Sequence, residues 1–299
     1  MDYVLSASQA AEEYQNEVDI SLKNFSKIYY GVDTRNGKLY YDKNKEQAIK
    51  KYYADYMCTL AGESVECYIT GMVVEYLTHC ILGATIDEAF FPSIYGASNA
   101  EEIWKKNNVF GCSDGIENAI SVAANLLSGM KETFMNKPSI ESACKLVTFD
   151  TWYRNPKNAN QEIQYYDIVV DKNTVESIKI MLRRCKQFFK GQENEVCHRY
   201  KFKPGACTDK VAAAEIDFLT KDTLWDFKVS KYGPVKSALV QLLIYFIMGI
   251  HSDKETFDSV TKIGVYNPRQ DMAWVANIDD IPTRAFEQVE KIIGYKTSI

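Results

Sequence analysis

Long apolar runs are missing from this 299-residue sequence. The longest uncharged stretch, residues 237–250, falls well short of the ~20 apolar residues that a membrane span needs, and Gln241 interrupts it. It reads as a buried helix. Paired cysteines are missing too: none of the eight forms a C-x-x-C pair or a close Cys/His cluster, which argues against a zinc or iron–sulfur site. Basic excess is absent, since the formal net charge is −5 and the pI about 5.4. No global positive field is therefore available to hold a polyanion by counterion release, and any such contact must be local or helped by metal ions or a partner. The polar, acidic opening residues lack the basic-then-apolar pattern of a secretory signal. The expectation is a cytoplasmic chain with reduced thiols. Internal repeats, low-complexity tracts and Pro/Gly/Ser-rich linkers are lacking as well, so no domain boundary announces itself.

What is present is ordinary for a folded chain: 46% hydrophobic and 25% charged residues. A chain of this length can bury a sizeable core. The polar N-terminal text predicts a helix near residues 10–23 and a hairpin-like stretch at 31–41, both peripheral. Residues 47–82 read as helical, with Ile69, Met72, Val73, Tyr76, Leu77 and Cys80 at spacings of three and four. A helix over 116–135 has a capping-box signal in Asp114 and Glu117. Residues 164–170 make a short aromatic strand candidate, and a helix over 174–190 would be capped by Asn173 with Glu176.

After Lys210 the texture changes. Two strand-like runs, 211–220 and 223–230, flank Lys221-Asp222. A long apolar helix over 235–249 follows Gly233-Pro234, with the proline at its start. Strands over 261–266 and 272–275 flank the turn at 267–270. These patterns predict an α/β protein in one elaborated domain, 1–299, with a mostly helical region over about 1–210 and a β-β-α-β-β core over about 211–278.

Pairing the two runs symmetrically about Lys221-Asp222 sets Phe218 opposite Trp225 and Asp217 opposite Asp226. Opposed residues point to one side of the sheet, so two carboxylates are brought together. Lys228 stands opposite Glu215 on that side, while Ile216, Phe218, Trp225 and Phe227 take the other. Opposed like charges destabilise a hairpin unless they share a proton or bind a cation. A hard divalent ion, Mg²⁺ or Mn²⁺, would compensate, and the adjacent lysine could orient water or offset charge on a phosphate. The same residues also fit the solvated face of an amphipathic hairpin with a Glu215–Lys228 surface pair, and a one-residue slip would part the two acids.

The text Ala214-Glu-Ile-Asp217, then Leu224-Trp-Asp226-Phe-Lys228, then Gln241-Leu-Leu-Ile-Tyr245 resembles the PD-(D/E)XK nuclease superfamily, and within it the RecB-type exonuclease branch with its Q-x-x-x-Y motif. The resemblance implies a restriction-endonuclease-like core, a mixed central sheet flanked by helices, with a largely helical elaboration. It implies Asp217 and Asp226 as metal ligands, Lys228 as the catalytic lysine, and Gln241 and Tyr245 as a pair supporting the strand or the site. The upstream acidic helix of that family is matched by Gly71-Met-Val-Val-Glu75-Tyr-Leu-Thr-His79, which makes Glu75 the first choice and His79 the second for a further catalytic or metal position, with Glu63 and Glu66 as alternatives. No cysteine follows Cys207, so the four-cysteine cluster of some RecB-type members is not expected. Lys228, Lys231, Lys236, Lys262 and Arg269 could form a local basic rim.

The implied activity is Mg²⁺- or Mn²⁺-dependent hydrolysis of DNA phosphodiester bonds, exo or endo, with DNA as first partner, a protein partner or second copy open, and no membrane. Two other readings use the same residues: a nuclease fold kept as a binding or assembly module, and an RNA-directed nuclease.

Overall fold

The computed structural model describes residues 4–29, 32–33, 38–39, 62–106, 118–130, 134–159, 162–192, 196–203, 205–213 and 215–295. The chain divides into two compact units, Met1–Asn44 with Lys190–Ile299, and Lys45–Phe189. Among the described residues ten strands occur: β1 (Leu5–Ser6), β2 (Ser26–Tyr29), β3 (Val32–Asp33), β4 (Lys38–Leu39), β5 (Cys197–Lys201), β6 (Val211–Ala213), β7 (Glu215–Leu219), β8 (Thr223–Phe227), β9 (Lys262–Asn267) and β10 (Met272–Asn277). No helix of the described residues is long and apolar enough to cross a membrane.

The first unit is α/β. Its six-stranded sheet runs β2-β10-β9-β8-β7-β5. Only β8 and β9 are parallel neighbours; the other pairs are antiparallel. A parallel pair needs a crossover. The Lys236–Ser252 helix supplies it, packing on β8 and β9. The helices Ala7–Tyr14 and Thr283–Ile293 pack against that crossover helix in turn. Its lack of charge follows, because Leu239, Val240, Leu242, Leu243 and Ile244 are all buried in one core with Ile263, Val265 and Trp274 of the sheet. Two glycines fit tight places: a Cβ on Gly264 would overlap the Trp225 indole of the neighbouring strand, and Gly294 ends the last helix at φ +91, a left-handed conformation that costs glycine nothing.

The β-β-α-β-β order read from the sequence is present, and two further strands complete the sheet. β2 comes from the N-terminal text read as peripheral, and β5 from a stretch read as helical. The N-terminal helix is Ala7–Tyr14 rather than 10–23, and β3 with β4 forms the hairpin within 31–41. The long apolar helix begins after Val235 as its N-cap, so Pro234 precedes the cap instead of opening the helix.

The second unit is helical. The helix Cys67–Ile81 packs against Lys172–Phe188 and Lys137–Leu146, and Phe91–Lys106 against Asp150–Arg154 and Ala119–Gly129. Gly96 meets the Phe149 backbone so closely that no side chain fits there. The strand expected at 164–170 is instead a 3₁₀ turn, Tyr165–Asp167, with extended backbone after it. The following helix starts two residues early because Asp171, not Asn173, accepts from the Thr174 N–H at 2.8 Å. The capping signal Asp114/Glu117 lies outside the described residues; the helix there is Ala119–Gly129, capped by Asn118.

Candidate functional site

The hairpin register is the one read from the sequence. Phe218 pairs with Trp225 and Leu219 with Leu224, which sets Asp217 opposite Asp226. The ladder stops at the acids. Where the next bond from Phe227 to β7 would fall, its N–H donates to Asp217 Oδ2 at 2.8 Å. The strands thus part where two carboxylates face each other, and one acid takes over a backbone bond.

Asp226 does not lie on a solvated face. All five residues of β8 are buried, because the strand sits between β7 and β9 with apolar groups on both sides. Asp226 is 1% exposed. Its Oδ1 accepts from Lys228 Nζ at 2.7 Å, while its Oδ2 is buried and has no hydrogen-bond partner among the described residues. Burial pushes the Asp226 carboxyl above the usual carboxylate range, and the neighbouring Lys228 ammonium only partly opposes this. A buried carboxylate with one oxygen unmatched is costly. Glu215, expected beside Lys228, instead forms an ion pair with Arg199 at 2.9 Å. Arg199 has φ +48 in the edge strand β5, a strained conformation for arginine.

Asp226 pairs in register with Val265, and Val265 with Trp274, both in the core that the crossover helix covers. The acid therefore faces the side where Gln241 and Tyr245 are carried. These two share one helix face and satisfy each other, Gln241 Nε2 donating to the Tyr245 hydroxyl at 2.6 Å. Gln241 is half-buried and Tyr245 buried.

Comparison with protein-family models, curated proteins and solved structures finds no match to this chain. The site's meaning rests on its own geometry.

Glu75 and His79 stand on the Cys67–Ile81 helix of the second unit. Neither is on a solvated face: Glu75 is half-buried and His79 fully buried. Glu75 lends negative charge to the surroundings of Arg154. Within the first unit the structure brings together Asp217, Asp226 and Lys228 on the hairpin, while Gln241 and Tyr245 stand on the helix that packs on β8 and β9. Among the described residues no three His, Cys, Asp or Glu side chains converge as a metal cage. Two carboxylates still suit Mg²⁺, which keeps several waters and takes one or two carboxylates plus substrate phosphates. The unmatched Asp226 oxygen is the observation in favour of a cation there.

The expected basic rim shrinks. Arg269 is 6% exposed and belongs to the interior of the β9–β10 turn, and Lys262 is paired with Asp222 at 2.7 Å at the far end of the strand. Lys228, Lys231 and Lys236 remain. Sequence reasoning missed Arg199, which lies in text read as helical, and Asn267, whose role depends on a loop 35 residues away. Only the Asn-Pro turn signal hinted at the second.

Proposed function

We propose that the chain is a metal-dependent phosphodiesterase acting on DNA, with a PD-(D/E)XK site of RecB-type character. One observation carries the reading: a buried aspartate, opposite a second aspartate in an opened ladder, gives one oxygen to a lysine and keeps the other unmatched. Asp217 and Asp226 would hold the ion, whose chemistry when bound is Lewis-acid stabilisation of the phosphoryl oxygens and activation of water.

The chain's own groups do the rest. Asp217, tied to the Phe227 N–H, keeps its carboxylate fixed in the gap between the strands. Lys228 is held by Asp226 yet 37% exposed, so its ammonium can meet a phosphate or an attacking water while remaining oriented. The hydrogen-bonded Gln241 and Tyr245 would support the site from the helix that packs on β8 and β9.

The test is a cleavage series on linear, circular and single-stranded DNA and on RNA, in Mg²⁺, Mn²⁺ and EDTA. Cleavage of DNA in either metal and none in EDTA is expected. Cleavage undiminished in EDTA, or none on any substrate, contradicts the reading; the second outcome favours a binding or assembly module.

A further inference from the structure

Directly after the metal-site strand the chain makes a loop, residues 230–235, before the crossover helix begins. Its backbone is clamped from below. Asn267, 1% exposed, donates from Nδ2 to the Ser230 carbonyl at 2.7 Å and the Tyr232 carbonyl at 3.2 Å, while its Oδ1 accepts from Arg269 N at 3.0 Å. Gln270 Nε2 donates to the Lys231 carbonyl, and Ser230 Oγ accepts from Tyr232 N at 3.1 Å. Gly233 packs against the Trp274 indole. Three successive carbonyls are thus held by side-chain amides from the end of β9 and the turn after it, more than a surface loop usually has.

What this fixed backbone presents is an aromatic ring. Tyr232 is 77% exposed, the most exposed aromatic side chain among the described residues, and Val235 beside it is 62% exposed. Its neighbours along the chain are basic. Lys231 is exposed and Lys236 half-exposed, Lys228 reaches solvent, and no Asp or Glu occurs between Asp226 and Asp253. In a chain of net charge −5 this segment is a local positive strip with an aromatic at its centre. An exposed ring on a fixed backbone, flanked by lysines, matches the chemistry of an unpaired nucleic-acid strand, whose bases expose π-faces for stacking and whose phosphates take ammonium groups. An internal duplex segment offers no free base face.

We propose that the 230–235 loop is a strand guide: Tyr232 stacks on a base of unpaired DNA while Lys231 and Lys236 hold flanking phosphates, delivering the strand to Asp217 and Asp226. The inference rests on the nuclease reading for its destination but not for its test.

Dissociation constants are measured by fluorescence anisotropy in EDTA for a labelled oligothymidylate of about 12 nucleotides, for the matching RNA and for a duplex. The full chain is used as wild type, Tyr232→Ala and Tyr232→Phe, with thermal melts to check folding of each. Loss of the ring should weaken oligothymidylate binding about 10-fold, with the phenylalanine variant within about 2-fold of wild type and duplex binding unmoved. Equal binding by the alanine variant, an equal loss on duplex, a clear preference for RNA, or no oligothymidylate binding by wild type overturns the guide. Cleavage in Mn²⁺ is scored apart. Ring-dependent binding without any cleavage sinks the nuclease reading and leaves the guide standing, whereas cleavage with ring-independent binding sinks the guide alone.

Discussion

Two aspartates, one in each unit, are equally buried at 1% exposure and are treated in opposite ways. Asp150, in the helical unit, is saturated: the hydroxyls of Tyr76 and Ser93 each donate to one of its oxygens, and Arg154 lies 3.5 Å away. Asp226, in the α/β unit, has Lys228 on one oxygen and no hydrogen-bond partner on the other. Burial costs both acids their hydration. In the first case the protein itself restores it, which makes Asp150 a joint between the Cys67–Ile81, Phe91–Lys106 and Asp150–Arg154 helices. In the second the protein restores half, and under the proposed function a cation would restore the rest.

The largest effect expected from this contrast is on catalysis. Asp226→Asn keeps the shape and removes the charge, and cleavage should fall roughly 1000-fold, the order of loss for groups that stabilise charge in the transition state. Asp150→Asn should leave cleavage within about 2-fold if Asp150 is structural. A similar loss in both variants would erase the distinction.

Stability should respond the other way round. Asp150→Ala takes the acceptor from the buried Tyr76 and Ser93 hydroxyls, with a cost of about 3 kcal/mol in denaturant unfolding. Asp226→Asn should raise the stability of the metal-free protein, because a buried charge with an incomplete shell is removed. A destabilised Asp226→Asn would mean that the acid serves the fold.

The pH dependence sharpens the comparison further. Asp226 has its folded pKa raised by burial against the opposing Lys228, so its contribution to metal-free stability is full below the usual carboxylate range and is lost as pH rises through the folded value. Asp253 is the reverse: Lys203, at 2.6 Å, chiefly holds its carboxyl down to about 2, with Tyr200 and Thr256 assisting. Its contribution is present above the unfolded value of 3.8 and is lost as pH falls toward about 2. Melting curves of Asp226→Asn and Asp253→Asn against wild type should differ in slope with opposite sign. The smallest effect is expected from Tyr245→Phe, which removes one hydrogen bond to Gln241 and should cost about 1 kcal/mol, read in denaturant unfolding.

How much of this was legible in the sequence depended on the range of the contacts. The turn at Lys221-Asp222 joins adjacent runs, so symmetric pairing sufficed to oppose Asp217 and Asp226, and the i, i+4 spacing sufficed to join Gln241 to Tyr245. The burial of Asp226 was not legible. It follows from β8 lying parallel to β9, a partner about 40 residues on, which covers a strand that alternation alone would leave half-solvated. β2 was missed for the same reason, since its partner β10 lies near the other end of the chain, whereas β5 was missed because its own text is polar although its partner β7 follows it closely. Asp150 gave no local signal, since its partners Tyr76 and Ser93 come from two other helices.

The most direct measurement is Mn²⁺ binding, followed by electron paramagnetic resonance or calorimetric titration of the wild type, Asp226→Asn and Asp150→Asn. Saturable binding by wild type and Asp150→Asn that disappears in Asp226→Asn is the expected result. Equal binding by all three, or none by the wild type, would contradict the claim that the unmatched oxygen of Asp226 awaits a cation.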